Sequence, residues 1–230
     1  MLRLEEVKMD LGSFSLSADF GIAQGRRVAV IGPSGAGKST LLSAIAGFLQ
    51  PSRGSIRWKG TDITVARPGD RPVAMLFQDN NLFPHLTVAQ NVGLGLRPDL
   101  KLGAAEAERV ARALLRVGLD DQAQKRPGAL SGGQQSRAAL ARVLVQDRPL
   151  LLLDEPFAAL GPALRRDMLA LVRELTDETG ATLMMITHAP EDVGRIAEEV
   201  IFVDGGVAQG PQSAAELMRD PPPALKAYLG

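Results

Sequence analysis

The 230 residues suffice for one large domain, or for a core carrying a smaller inserted lobe. Hydrophobic residues make up 45% and charged residues 23%, the balance of an ordinary globular chain, and 26 basic residues are matched by 26 acidic ones, so no basic excess draws the chain onto nucleic acid or anionic lipid. The lack of cysteine excludes disulfides and thiolate metal sites and is compatible with the cytosol. Apolar runs such as Leu150–Leu153 are strand-sized, far short of a membrane span, and Met1–Glu6 lacks the charged-then-apolar form of a signal peptide. Any membrane role therefore needs a partner that supplies the span.

Short apolar runs alternate with helical patterns, which predicts an α/β fold. Arg27–Ile31 reads as a buried strand, followed by a helix over Thr40–Ala46 that stops near Gly47. Ser55–Trp58 and Val73–Phe77 read as further strands. From about 86 to 146 the character changes: Ala104–Val117 and Gln134–Gln146 are amphipathic and helical, which predicts a helical subdomain set into the core. The alternation then resumes with strands at Leu150–Leu153, Thr182–Ile186 and Val200–Val203. A helix over Ala163–Glu178 lies between the first two, and the last turns at Gly205-Gly206. Pro221–Pro223 marks a stiff turn. There is no internal repeat and no low-complexity segment.

Three groups of residues carry chemistry. Gly32-Pro33-Ser34-Gly35-Ala36-Gly37-Lys38-Ser39, followed by Thr40, fits the phosphate-binding loop between a strand and a helix. Glycines let the backbone wrap phosphate oxygens, the helix N-terminus offers free N–H groups and partial positive charge, Lys38 supplies a cation and Ser39 a hydroxyl for Mg²⁺. Asp154 and Glu155 end an apolar strand. In a nucleotide site the first is placed to hold Mg²⁺ through water, and the second to orient or deprotonate an attacking water. Leu130-Ser131-Gly132-Gly133-Gln134 opens a predicted helix and is a second anion-binding design. Two γ-phosphate sites in one chain suggest that the second serves another copy's nucleotide.

With this last motif the chain resembles the ABC ATPase family over nearly its whole length. The family's elements fall in order: the phosphate loop at Gly32–Thr40, Gln78, the signature at Leu130–Gln134, the Asp154-Glu155 pair and His188. The resemblance implies a single ABC ATPase domain over 1–230, a P-loop core with an N-terminal antiparallel β region and an inserted helical subdomain at about 86–146. It implies ATP and Mg²⁺ as cofactors and a head-to-tail homodimer that clasps two nucleotides. Gln78 would then contact Mg²⁺ and the attacking water, Ser131, Gly132, Gly133 and Gln134 would meet the γ-phosphate across the dimer, and His188 would contact it as the site closes.

Two positions depart from the family pattern. Gly161 stands where the family usually has an Asp, which predicts looser coupling between the two sites. Leu11 falls at the position of an aromatic that stacks on adenine, with Phe14 nearby but offset, which predicts ATP binding with weak selectivity over GTP.

One cassette without a fused membrane domain resembles the separate ATPase subunits of bacterial importers. Gly230 follows soon after the last core elements, leaving no room for a regulatory C-terminal domain. Met75–Leu96, with Ala46–Leu49 and Pro98–Leu102, resembles the ATPases of thiamine importers. That resemblance implies docking of a permease near Gln78–Leu86, indirect service to a periplasmic thiamine-binding protein, and a peripheral place on the cytoplasmic face of the inner membrane. The alternatives are an importer ATPase for another small solute, or a nucleotide-dependent switch with weak hydrolysis. A GTPase is disfavoured, because no Asn-Lys-x-Asp motif occurs.

Overall fold

The computed structural model describes residues 1–223, 225 and 226. The expectation drawn from Gly230 lies outside the described residues. In chain order the strands are β1 (Leu2–Leu11), β2 (Phe14–Ile22), β3 (Arg27–Ile31), β4 (Arg53–Trp58), β5 (Thr61–Asp62), β6 (Val73–Leu76), β7 (Leu150–Asp154), β8 (Thr182–Ile186), β9 (Glu199–Asp204), β10 (Val207–Ala208) and β11 (Gln212–Ser213). The helices are α1 (Lys38–Ala46), α2 (Val88–Gly93), α3 (Ala104–Arg116), α4 (Gly132–Leu144), α5 (Pro162–Thr179), α6 (Pro190–Ile196) and α7 (Ala214–Arg219). The chain divides into two compact units. One holds Met1–Val73, Pro149–Glu155 and the chain from Leu169 onward, and the other holds Ala74–Arg148 and Pro156–Met168.

The first unit is built on a sheet in the order β5-β4-β1-β2-β10-β9-β3-β8-β7. From β5 to β2 the pairing is antiparallel, and from β9 to β7 it is parallel. The two-residue β10 joins these regions, running parallel to β2 and antiparallel to β9. Every residue of β3, β7 and β8 is buried, as expected of parallel strands covered on both faces, which explains their unbroken apolar runs. Ile31, Val193, Phe202 and Leu217 belong to one core cluster behind the parallel strands. Parallel pairing sets Asp154 beside Ile186 and Val30 beside Ile186, so the C-terminal ends of β3, β7 and β8 lie at one edge. Ligand sites of open α/β sheets form at such an edge.

The second unit is helical: α2, α3 and α4 pack on one another. Thr87 caps α2 in a capping box with Gln90, which lets this six-residue helix form. No helix among the described residues is long and apolar enough to cross a membrane.

Candidate active site

In the first unit, β3 runs straight into the phosphate loop. Two of its glycines are required for different reasons. Gly32 has φ +147°, and a Cβ there would meet the Val203 carbonyl oxygen of β9 at 2.0 Å. Gly37 has φ +103°, and its Cβ would meet the Phe14 ring at 2.7 Å. Gly37 is also the N-cap of α1, with no side-chain cap and no acidic residue in the first turn. The positive end of this helix is therefore left free for an anion.

Lys38 is buried, and its Nζ donates to the carbonyl oxygens of Gly32 and Pro33, both at 2.8 Å. Burial pushes its pKa down, while the nearby Glu155 and Asp154 charges oppose that shift. Asp154 is 6% exposed, and its Oδ1 has no hydrogen-bond partner among the described residues. Burial, chiefly, pushes its carboxyl above the usual range, and the Glu155 charge adds to this. A hydrogen bond from the Ser39 hydroxyl and the charges of Lys38 and His188 act the other way.

A buried acid with an orphaned oxygen beside a serine hydroxyl suits a hard divalent cation such as Mg²⁺. No group of three or more His, Cys, Asp or Glu among the described residues could hold a metal alone.

Glu155 adopts φ +46°, a left-handed conformation uncommon for a non-glycine residue. It places Oε1 2.6 Å from His188 Nε2. These residues are 33 apart in sequence and meet because β7 and β8 end in register. The loop that presents His188 is braced behind it: the Thr187 hydroxyl donates to buried Asp192 at 2.7 Å and accepts from the Ala189 N–H at 3.1 Å. Sequence reasoning did not reach Asp192. Its signal was a Thr ahead of the Pro190 that starts α6.

Leu11 is 42% exposed at the end of β1, paired with Phe14 across the turn at Gly12. A cleft of about 420 Å³ beside the phosphate loop is lined by Phe14, Ser34, Gly35 and Asp204, among others, and Leu11 does not line it. The aromatic residue beside the loop is thus the offset Phe14.

The second unit carries Gln78, exposed after β6, and the signature. Ser131 is the N-cap of α4. Its hydroxyl accepts from the Gln134 N–H at 3.3 Å, and the Gln134 side chain accepts from the Ser131 N–H at 2.9 Å. Gln134, expected as an anion ligand, here uses its carbonyl oxygen to complete this capping box. The helix consequently starts at Gly132, two residues before the predicted start. Gly132 is open, with nothing within 4 Å of an added Cβ, whereas a Cβ on Gly133 would meet Leu164 at 2.9 Å. The Ser131 hydroxyl hydrogen and the first N–H groups of α4 remain for an anion. Gly161, also in this unit, accepts from the Arg165 N–H at 3.0 Å and so stands at the N-cap of α5.

A phosphate loop with its acidic strand end and a separate signature helix define an ATP-binding cassette. The ABC transporter family model matches residues 16–158, and the chain belongs to that family. More narrowly, it is 58% identical over its full length to the whole of a thiamine import ATP-binding protein of Cereibacter sphaeroides. It is likewise 58% identical, with both chains fully covered, to its counterpart in Ruegeria sp.. Among solved structures, the dimeric post-hydrolysis state of the ATP-binding cassette MJ0796 bound to ADP and Pi superposes with a TM-score of 0.82 at 28% identity, covering 93% of this chain and 99% of that one. CbiO1 from Clostridium perfringens, part of the CbiONQ ABC transporter complex, gives 0.83 at 31% identity, covering 95% and 90%.

Proposed function

We propose that this chain is the ATP-hydrolysing subunit of a bacterial thiamine importer, working as a homodimer beneath a separate permease. The observation that carries hydrolysis is the cluster of Lys38, Asp154, Glu155 and His188 at the ends of β3, β7 and β8. The solute rests on the full-length similarity to thiamine import ATP-binding proteins, since no side chain of this chain would meet it.

The phosphate loop and the free N-terminus of α1 bind the phosphate chain, with Lys38 leaving its carbonyl partners to neutralise the β- and γ-oxygens. Ser39, Asp154 and Gln78 would hold Mg²⁺, which would offset charge on the phosphates. Glu155 orients water and accepts its proton as the water oxygen bonds to the γ-phosphorus and the bond to the bridging oxygen breaks, giving ADP and phosphate. His188 contacts the γ-phosphate and holds Glu155 in place. Ser131, Gly132 and Gly133 contact the γ-phosphate bound to the partner subunit, a reading supported by the dimeric form of the related cassette.

The loop Gln78–Leu86 receives the permease, and the chain sits peripherally on the cytoplasmic face of the inner membrane. The helical unit is the lobe that carries both this loop and the signature. The test is phosphate release by the chain assembled with its permease and a thiamine-binding protein. Thiamine should stimulate release, and Glu155→Gln should abolish it. Equal, slow release by wild type and variant would sink the hydrolase reading in favour of a nucleotide-dependent switch.

A further inference from the structure

Side chains of the helical unit that hydrolysis does not use include Arg142 and Asn91. Arg142 lies in the last turn of α4. Its Nη2 donates to the Asn80 carbonyl at 2.6 Å and its Nη1 to the Asn81 carbonyl at 2.7 Å. No carboxylate shifts its pKa, which burial alone pushes down. Asn80 and Asn81 are consecutive left-handed residues, with φ +58° and +46°, a conformation that persists only where the surroundings hold it. The Asn80 side chain also donates to the buried Ser136 hydroxyl of α4 at 3.3 Å.

The far end of the same loop is held from α2. Asn91 is fully buried; its Oδ1 accepts from the Phe83 N–H at 2.7 Å, and its Nδ2 donates to the carbonyls of Phe83, Leu86 and Thr87. Between these clamps Phe83 and His85 stand exposed, their rings edge-on with centroids 6.0 Å apart.

A loop fixed at both ends cannot absorb a displacement by rearranging locally. We propose that Arg142 is a positioning residue that couples the loop after Gln78 to the Ser131–Gly133 motif, because its guanidinium fastens the loop to the helix whose N-terminus is that motif. This rests on the reading that the permease docks on Gln78–Leu86. A push on the exposed tip reaches the Asn80 and Asn81 carbonyls, passes into Arg142, and moves α4 as a rod. At 1.5 Å per residue, the signature lies about 16 Å away along the helix. The planar fork matters: it bridges two carbonyls at once, which a lysine ammonium on a flexible stem does not reproduce.

The experiment uses the full importer in lipid vesicles together with the isolated chain, comparing wild type, Arg142→Met and Arg142→Lys. Both variants should co-purify with the permease and bind ATP within about twofold of wild type, while substrate-stimulated ATPase falls about tenfold or more, a coupling loss of ordinary allosteric size. In the isolated variants, amides of residues 79–86 should exchange faster, with those of α3 unchanged. Ser136→Ala, which removes only the Asn80 hook, should give a smaller loss of about two- to threefold and keeps the idea testable if the arginine variants fold poorly. Full stimulation of Arg142→Met beside a stimulated wild type, or unchanged loop exchange, would overturn the coupling role and leave the docking reading standing. A wild-type importer showing no stimulation overturns both.

Discussion

The molecule has two glycine-rich helix starts, and they are built differently. At α1, Gly37 offers no side-chain cap, the first turn has no acid, and a buried lysine lies beside the loop. At α4, Ser131 and Gln134 cap each other reciprocally on an exposed turn with no cation of its own in the motif. The first leaves its donors open and fits a tightly held polyphosphate. The second is already partly satisfied, so it keeps its shape without an anion and suits a brief contact with one terminal phosphate. Under the proposed function, one chain would carry a permanent cradle and a pre-shaped lid for a different nucleotide.

The sharpest break between the two concerns the acids that only the first possesses. Glu155→Gln should lower hydrolysis by about 10²–10⁴-fold while ATP binding survives, as loss of a general base does. Paired phosphate-release and nucleotide-binding measurements check this. Next come the glycines. Gly32→Ala drives a Cβ into the Val203 carbonyl and should cost about 3 kcal/mol or more, read from a denaturation midpoint. Gly132→Ala meets no neighbour, should leave stability unchanged or raise it by about 0.5–1 kcal/mol, and so exposes how unequal the two loops are. Ser131→Ala removes an N-cap and should cost about 1 kcal/mol in the isolated chain, before any effect on dimerisation.

The smallest effect belongs to Gly161→Asp. The site is open and its φ is not left-handed, so Asp fits; as a better N-cap for α5 it should add a few tenths of a kcal/mol. It should also tighten ATP-induced dimerisation in a Glu155→Gln background, measured by sedimentation. Gly161→Ser serves as the control for capping alone, and equal dimerisation of the two variants would place the effect in the cap.

Where residue type and environment agreed, the fold was legible. The all-buried strands Arg27–Ile31 and Thr182–Ile186 were readable to the residue because both faces are covered. The first strand hid because its alternation breaks: Leu2 and Leu4 are buried, then Val7 and Met9, with a bulge between them where Glu6 turns left-handed. Helix starts at Lys38 and Gly132 came earlier than periodicity suggests, since glycines and polar residues in a first turn carry no apolar signal. The α2 helix had only its Thr87–Gln90 capping box to announce it.

At the site, the phosphate loop and the acidic pair were legible as local motifs. The approach of His188 to Glu155 needed the strand register. The roles of Asn91, Arg142 and Asp192 depend on which carbonyls or hydroxyls the fold brings to them, and single-sequence patterns do not contain that. Leu11, placed at the adenine position by motif alignment, sits across the turn from Phe14, the aromatic that lines the cleft.

The central claim is that the cradle and the lid of one chain serve different nucleotides, and mixing two inactive variants tests it most directly. Lys38→Ala disables the cradle and Ser131→Arg disables the lid. In a head-to-tail dimer of one of each, one site carries both lesions and the other is intact. Mixed equally, the two should recover up to about a quarter of wild-type ATPase activity, because half the dimers are mixed and each has one sound site. No recovery, with mixed dimers shown to form, would mean that both loops act on the same nucleotide and would contradict the account.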